Sequence, residues 1–578
     1  MMKHLWPHAR PYSGWILAGV LCSAGEAIFE LLIPLVMSDI VNIGIPAADG
    51  SFILWNGGKM VLMALISLAL GVGAAICSSI AGQGFGANLR KAEYDHIQNY
   101  AFSNIEKFST ASLVTRLTND AHALQMSLMM GMRLLVRAPV MLVTALVLSV
   151  RISLRLSTVF LVGLPVLAVS VVVIMMRAGP MFRSLQEKTD ALNLVVQENL
   201  TGIRVVKSFV KEDRELEKFT HRNRDLKATS ENAFGMVVIN MPIMMLIVYA
   251  TMIAVMWFGG GLVNTGALET GDLMAYFTYI LQIMMSLMMV SMMFMMMTRS
   301  VACARRIVEV LEERPAIRDD EADPNAEVAD GSIDFEGVSF KYHDEAAEWV
   351  LADIDLHIPS GATVGILGGT GSGKTSLVSL IPRLYEAGEG VVRVGGRGVK
   401  EYPLHTLRDA VSVVLQKNTL FSGTIRENLL WGDPNATEEQ LWAACRAACA
   451  DEFLARFPDG LDTDLGQGGV NVSGGQKQRL CIARAILKQP KVLILDDSTS
   501  AVDTATDAKI RAAFANELKD TTKLIIAQRI TSVMEADLIV VMDGGRIAAR
   551  GTHDELMETC EIYRDVWTSQ QEGVSIGG

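Results

Sequence analysis

Residues Gly368 to Thr375 read GGTGSGKT, and residue types in this order suit one task, the holding of a chain of phosphates. The spacing matches G-x-x-x-x-G-K-[ST]: Gly368, Gly369, Gly371 and Gly373 let backbone N–H groups approach phosphate oxygens, with Thr370 and Ser372 between them. Lys374 would meet the β- and γ-phosphates, and Thr375 would ligate Mg2+. Further along, the apolar run VLIL at Val492 to Leu495 is closed by Asp496, a carboxylate suited to holding Mg2+ through its hydration shell.

Such residues need a rigid frame. Ala362 to Leu367 reads as a buried strand that delivers the glycine loop, and from Ser376 onward the pattern predicts a helix whose N-terminus favours anions. The surrounding segment, from Gly331 on, has the charge and glycine punctuation of a soluble α/β domain. Before it, from about Gly14 to about Arg299, lie long and nearly uncharged stretches, which explains a 50% hydrophobic composition. The sequence thus predicts an α-helical six-span transmembrane domain followed by an α/β P-loop ATP-binding domain. The expected division is residues 1–312 for the membrane domain, 313–330 for an acidic, proline-containing linker, and 331–578 for the nucleotide-binding domain.

A helix needs about 20 apolar residues to cross a bilayer. The sequence offers six such stretches, near 14–36, 59–80, 134–152, 156–177, 236–262 and 272–298. Glu26 and Glu30 interrupt the first, and no small-residue cleavage site follows it, so it does not read as a secretory signal. Basic residues set the orientation. Arg90, Lys91, Lys107 and Arg116 fall between spans two and three, and Arg204 to Lys227 supply eight more between four and five. The alternate connections carry almost none, apart from Arg151 and Arg155. Both termini and the ATP-binding domain are therefore expected on the cytoplasmic side of the membrane. A net charge of −12 and the absence of a basic patch with interleaved aromatics argue against a nucleic-acid partner. Seven scattered cysteines read as free thiols, and for Cys445 and Cys449, four apart, core packing is favoured over a metal pair.

Val472 to Gln476 read VSGGQ, and with the phosphate loop and VLILDD this resembles the cassette of ABC transporters. The chain as a whole is similar to a half-transporter of the ABC exporter family, in particular the bacterial multidrug-type subunits that work as heterodimers. The resemblance implies roles residue by residue. Tyr342 would stack on adenine. Gln416 would touch Mg2+ and the attacking water, and Asp497 would be the base or the group that positions that water. Ser473, Gly474, Gly475 and Gln476 would close over ATP held by a second cassette, with the serine donating to the γ-phosphate. Ser500 to Asp503, reading SAVD, would carry communication between cassettes. FSTASLVTRLTND (Phe108 to Asp120) and QENLTGIRVVKSF (Gln197 to Phe209) look like loops bearing coupling helices.

Two positions depart from the family pattern. Asp497 stands where a glutamate is usual, and Gln528 where a histidine is usual. Aspartate is one methylene shorter, and a displacement of about 1 Å can cost on the order of a hundredfold. Glutamine can hydrogen-bond a phosphate oxygen but cannot become cationic. The expectation is a chain with a degenerate ATP site and an intact signature, paired with a different half-transporter that supplies the glutamate and histidine.

The expected cargo is hydrophobic or amphipathic, whether drug-like, lipid or peptide. Glu26 and Glu30 share a helix face and could attract cations or make an interhelical contact. The methionines of span six, Met284, Met285, Met288, Met289, Met292, Met293, Met295, Met296 and Met297, could line an adaptable surface, although packing is the favoured reading for most. Alternatives are an ATP-gated regulator or channel, which the sparse intramembrane charges disfavour, and a homodimeric lipid or peptide exporter.

Overall fold

A computed structural model describes the backbone of residues 1–343, 345–497 and 504–576; the side chains of residues 171, 175, 240, 291, 292, 294, 295, 504 and 572–576 are also left out of the description. The SAVD segment lies outside the described residues, as do the side chains of Met292 and Met295. The chain divides into two compact units, residues 1–98 with 111–313, and residues 99–110 with 314–578.

The first unit is helical. Six helical segments are long and apolar enough to cross a membrane, among them Gly50–Gln98, Leu154–Thr201 and Glu212–Asn264. These are 48 to 53 residues or so, about 70 to 80 Å at 1.5 Å per residue, more than twice the hydrocarbon thickness. They run on although Pro165 and Pro180 lie inside one of them and Pro242 inside another, as spanning helices with their apolar packing tolerate. One apolar cluster joins Ala27 and Leu31 of the first span to Met141 and Ala145 of the third and Tyr276 to Met284 of the sixth. A second, built on Phe85, Leu89, Leu124 and Ile307, packs the second span's helix against those of the third and sixth. Small residues set the spacing: a Cβ on Gly82 would come within 2.9 Å of the Met129 Cβ.

The second unit carries two sheets. The antiparallel sheet has the order β2-β1-β4-β5, with β1 at Ile333–Phe340, β2 at Leu351–Ile358, β4 at Glu389–Val394 and β5 at Arg397–Gly398. The larger sheet has the order β10-β9-β3-β8-β7-β6, in which β3 (Thr363–Gly368), β6 (Val411–Val414), β7 (Val492–Asp496), β8 (Thr522–Ile526) and β9 (Leu538–Asp543) run parallel. β10 (Arg546–Gly551) closes one edge antiparallel. Every residue of β7 and β8 is buried, as inner strands of a parallel sheet covered on both faces are, including Asp496, Thr522 and Lys523 at their ends. The strand ends that meet at β3, β7 and β8 define where chemistry can be placed, at the carboxyl edge of the sheet.

The short helix Phe102–Phe108 belongs to the second unit and ends at Ser109 in a left-handed conformation, φ +59°. Most of the expected segment Phe108 to Asp120 lies in the next helix, Thr110–Thr115, and in a π-helical turn, Arg116–Asp120. Tyr385 holds the short helix: its hydroxyl donates to Glu106 Oε1 at 2.9 Å and its ring lies 6.1 Å from Phe102. The second short helix, Ile203–Ser208, sits within the expected segment and belongs to the first unit.

Candidate functional site

β3 ends in the glycine loop, and the loop turns directly into the helix Lys374–Ser379, two residues earlier than the sequence pattern suggests. Glycine is required at 373: φ is +93°, and a Cβ there would lie 2.7 Å from Leu351 Cδ2. Gly368, Gly369, Thr370, Gly371 and Ser372 form the rest of the turn. Within it the Lys374 ammonium donates to the carbonyls of Gly368 (2.9 Å) and Gly369 (2.6 Å) and to Ser372 Oγ (3.3 Å). Burial pulls the Lys374 ammonium below its ordinary value, against the opposing pull of Asp496 and Asp497.

Beside the loop, Thr375 Oγ1 donates to Asp496 Oδ1 at 3.2 Å. Burial raises the Asp496 carboxyl above the usual carboxylate range and the Asp497 charge adds to it, while the Thr375 hydrogen bond and Lys374 act the other way. The hydroxyl and carboxylate are hard oxygens held together at the end of the phosphate loop, a donor set that fits Mg2+. The arrangement also fits phosphate, since among the described residues the ammonium is hydrogen-bonded to neutral loop oxygens that a polyanion can replace.

Asp497 leaves β7 with a positive φ of +48°, an uncommon conformation for a side-chain-bearing residue. Its Oδ2 accepts from Gln528 Nε2 at 2.7 Å and from Gln416 Nε2 at 3.5 Å. Three residues that are 31 to 112 positions apart thus meet at the carboxyl ends of β6, β7 and β8. Tyr342 is partly exposed at the edge of the antiparallel sheet; its hydroxyl shares a hydrogen bond of 2.7 Å with Ser376 Oγ, and its ring packs edge-on against Phe340 and Tyr385.

The VSGGQ residues stand apart from this group. Ser473 caps the helix Gly474–Leu487: its Oγ accepts from the Gln476 N–H at 3.4 Å, and Gln476 Oε1 accepts from the Ser473 N–H at 2.8 Å. Gly474 and Gly475 form the first turn. No hydrogen bond among the described residues joins this helix start to the phosphate loop.

In the membrane unit, Glu26 and Glu30 are not alone. Arg137 of the third span donates to Glu26 Oε1 at 2.5 Å and to Glu30 Oε2 at 2.7 Å, and Gln282 of the sixth donates to Glu30 Oε1 at 3.4 Å. The interhelical contact, not a free pair of carboxylates, is what the fold builds. Sequence reading missed Arg137, although an arginine inside an apolar span is itself the signal. Among the methionines, Met284 is buried in the helix packing, whereas Met285 and Met297 are exposed. Cys445 and Cys449 are buried, and burial pushes the Cys445 thiol up to about 12. Among the described residues there is no cluster of three metal-ligating side chains.

A family profile described as the ABC transporter transmembrane region matches residues 16–287, and one described as ABC transporter matches residues 351–500. An uncharacterized ABC transporter ATP-binding protein of Mycobacterium tuberculosis is 35% identical over the full length of both chains. The chain belongs to the ABC transporter family. YfiB of Bacillus subtilis, another uncharacterized ABC transporter ATP-binding protein, is 35% identical over 97% of each chain. YgaD of Bacillus subtilis, whose name proposes a multidrug export ATP-binding/permease role, is 31% identical over 99% of each. A solved bacterial Atm1-family ABC exporter with ATP bound shares the fold, with a TM-score of 0.80 over 99% of this chain and 98% of that one at 22% identity. This ABC transporter is thus an integral multi-pass membrane protein of half-transporter type, with an ATP-binding domain whose ATPase activity is coupled to transport. ABC exporters work as dimers, so the fused membrane and ATP-binding halves of one chain are half of a working unit.

Proposed function

We propose that this chain is the degenerate-site subunit of a heterodimeric exporter of hydrophobic or amphipathic compounds. Its partner would be a different half-transporter with glutamate and histidine at the positions of Asp497 and Gln528, and the assembly would lie in a bacterial plasma membrane with both cassettes cytoplasmic. The observation that carries this reading is the Asp497–Gln528 hydrogen bond of 2.7 Å. The shorter carboxylate is turned toward the glutamine amide, and the pair offers no cationic group where a histidine would stand. Lys374, Thr375, Asp496 and Gln416 remain in place to bind.

Within this chain the residues would act as follows. Tyr342 offers a partly exposed ring to the adenine, the glycine loop and Lys374 bind the phosphates, and Thr375 and Asp496 hold Mg2+. Bound Mg2+ supplies charge neutralisation to the phosphate oxygens. Ser473 and Gln476, with the N–H groups of Gly474 and Gly475, serve the partner's ATP, so the competent site would join this chain's signature to the partner's catalytic groups. Closure of the two cassettes would open the membrane cavity outward, and hydrolysis would reset it. The tip of the second short helix supports a dimer: Val205, Phe209 and Val210 are 60, 70 and 79% exposed, an apolar surface suited to a partner cassette.

The test is ATP turnover by the chain alone, purified as a verified homodimer in lipid nanodiscs. Tight ATP·Mg2+ binding with slow turnover is expected. Turnover as fast as that of the native membrane complex would remove the heterodimer reading and leave a homodimeric exporter.

A further inference from the structure

Strand β8 ends at Ile526, and the chain then runs irregularly through Ala527, Gln528 and Arg529 before the turn Ile530–Ser532. Irregular backbone beside an active site must find hydrogen-bond partners outside the sheet ladder. Here one side chain from the far end of the sequence supplies two of them. Gln570 Nε2 donates to the carbonyl of Gln528 at 2.8 Å, and Gln570 Oε1 accepts from the Ile530 N–H at 3.0 Å. A carboxamide offers one acceptor and two donors, so it can bracket Arg529 as a neighbouring strand would.

Gln570 is itself held firmly. It lies on the C-terminal helix Glu561–Ile576, where Tyr563, Trp567 and Gln570 fall on one face at spacings of four and three. Tyr563 is 1% exposed, its hydroxyl is bonded to His553 Nδ1 at 2.7 Å, and the Trp567 ring lies 5.1 Å from His553. The Ile530 side chain is fully buried in the same apolar cluster as Tyr563 and Cys560. The helix and the segment after β8 therefore share a core, and the carboxamide joins their polar edges.

We propose that Gln570 is a positioning residue: by clamping the backbone on both sides of Arg529 it sets the Gln528 side chain against Asp497, and it makes the C-terminal helix a structural control on the ATP site. This rests on the assignment of Gln528 and Asp497 to that site. The clamp grips main-chain atoms, so it acts on whichever side chain stands at 528.

The test uses the full chain in nanodiscs, purified as a homodimer so that every ATP site carries Gln528, and two readouts. In hydrogen exchange, Gln570→Ala should speed exchange at the Ile530 amide by about tenfold or more, while β3 and β7 amides and the melting temperature are unchanged. In single-turnover hydrolysis, Gln570→Ala and Gln528→Ala should each lower the slow rate about fivefold with ATP affinity unchanged, and the double variant should match either single one. Gln570→Glu, which keeps an acceptor for the Ile530 N–H and loses the donor to the Gln528 carbonyl, should fall between. Unchanged exchange at Ile530 overturns the clamp. Additive losses in the double variant overturn the claim that Gln570 acts through Gln528. If Gln528→Ala alone leaves turnover intact, the site assignment fails and positioning by Gln570 fails with it, whatever the exchange shows.

Discussion

The phosphate-loop face and the signature face of the cassette are both loops that lead into a helix start, yet they differ in what completes them. Around the phosphate loop, side chains from three strand ends converge: Thr375 on Asp496, and Gln416 and Gln528 on Asp497. At the signature, among the described residues, the Ser473 and Gln476 side chains bond only to each other's backbone N–H groups. One face is finished by the fold of its own chain. The other is preorganised by a cap, as the proposed site shared across a dimer would require. The two departures from the family's pattern, Asp497 and Gln528, lie on the first face, and this asymmetry underlies the proposed weak and competent sites.

The strongest way to break the comparison is Ser473→Ala in the assembled heterodimer. Removing a donor from the γ-phosphate at the competent site should cost about 2.7 to 4 kcal/mol, or roughly 100- to 1,000-fold in turnover. Steady-state ATPase after confirming equal assembly measures it. Lys374→Ala strikes the other face and should give a clearly smaller loss, through reduced ATP occupancy and weaker closure. A milder effect from the serine change than from the lysine change would reverse the assignment of the two sites.

A gain of function sharpens the same contrast. In the chain alone, Asp497→Glu should raise turnover less than about tenfold, because Gln528 still cannot become cationic, and the double change Asp497→Glu with Gln528→His should raise it on the order of a hundredfold. Single-turnover hydrolysis by the isolated chain reads this. Full recovery from the aspartate change alone would make Gln528 irrelevant.

The smallest expected effect is on pH. Burial and the neighbouring Asp497 raise the Asp496 carboxyl, so it takes up a proton at a higher pH than an ordinary aspartate, and the neutral acid is a poor partner for Mg2+. Mg2+ enhancement of ATP binding at this chain's site should therefore weaken as pH falls by more than free ATP's own loss of Mg2+ affinity, and Asp496→Asn should remove that extra pH dependence. Calorimetric titration at several pH values, comparing the native chain with Asp496→Asn, checks the sign. The same pH dependence in both would show that Asp496 is not the ligand.

How much of this was legible in the sequence depended on distance along the chain. The six spans could be read because apolar composition is a local property, and the strand–loop–helix at Thr363 to Ser379 because glycine spacing and one apolar run suffice. The short helix Phe102–Phe108 was not legible, since the break at Ser109 carries no glycine or proline to announce it.

What the sequence by itself determined, then, is local: the spans, the phosphate loop, the buried strand ending in Asp496, and the two residues that depart from the family's pattern. Tertiary structure alone decided which side chains meet. Arg137 reaches Glu26 and Glu30 from 111 and 107 residues away, and turns a pair of candidate substrate carboxylates into an ion-paired joint between helices. Gln570 reaches Gln528 from 42 residues away and fixes a segment that no local pattern could fix. The physical reason is the same in both. A hydrogen bond or ion pair needs atoms within about 3 Å, and for residues on different elements that proximity is set by how buried faces pack, which no spacing along the chain records.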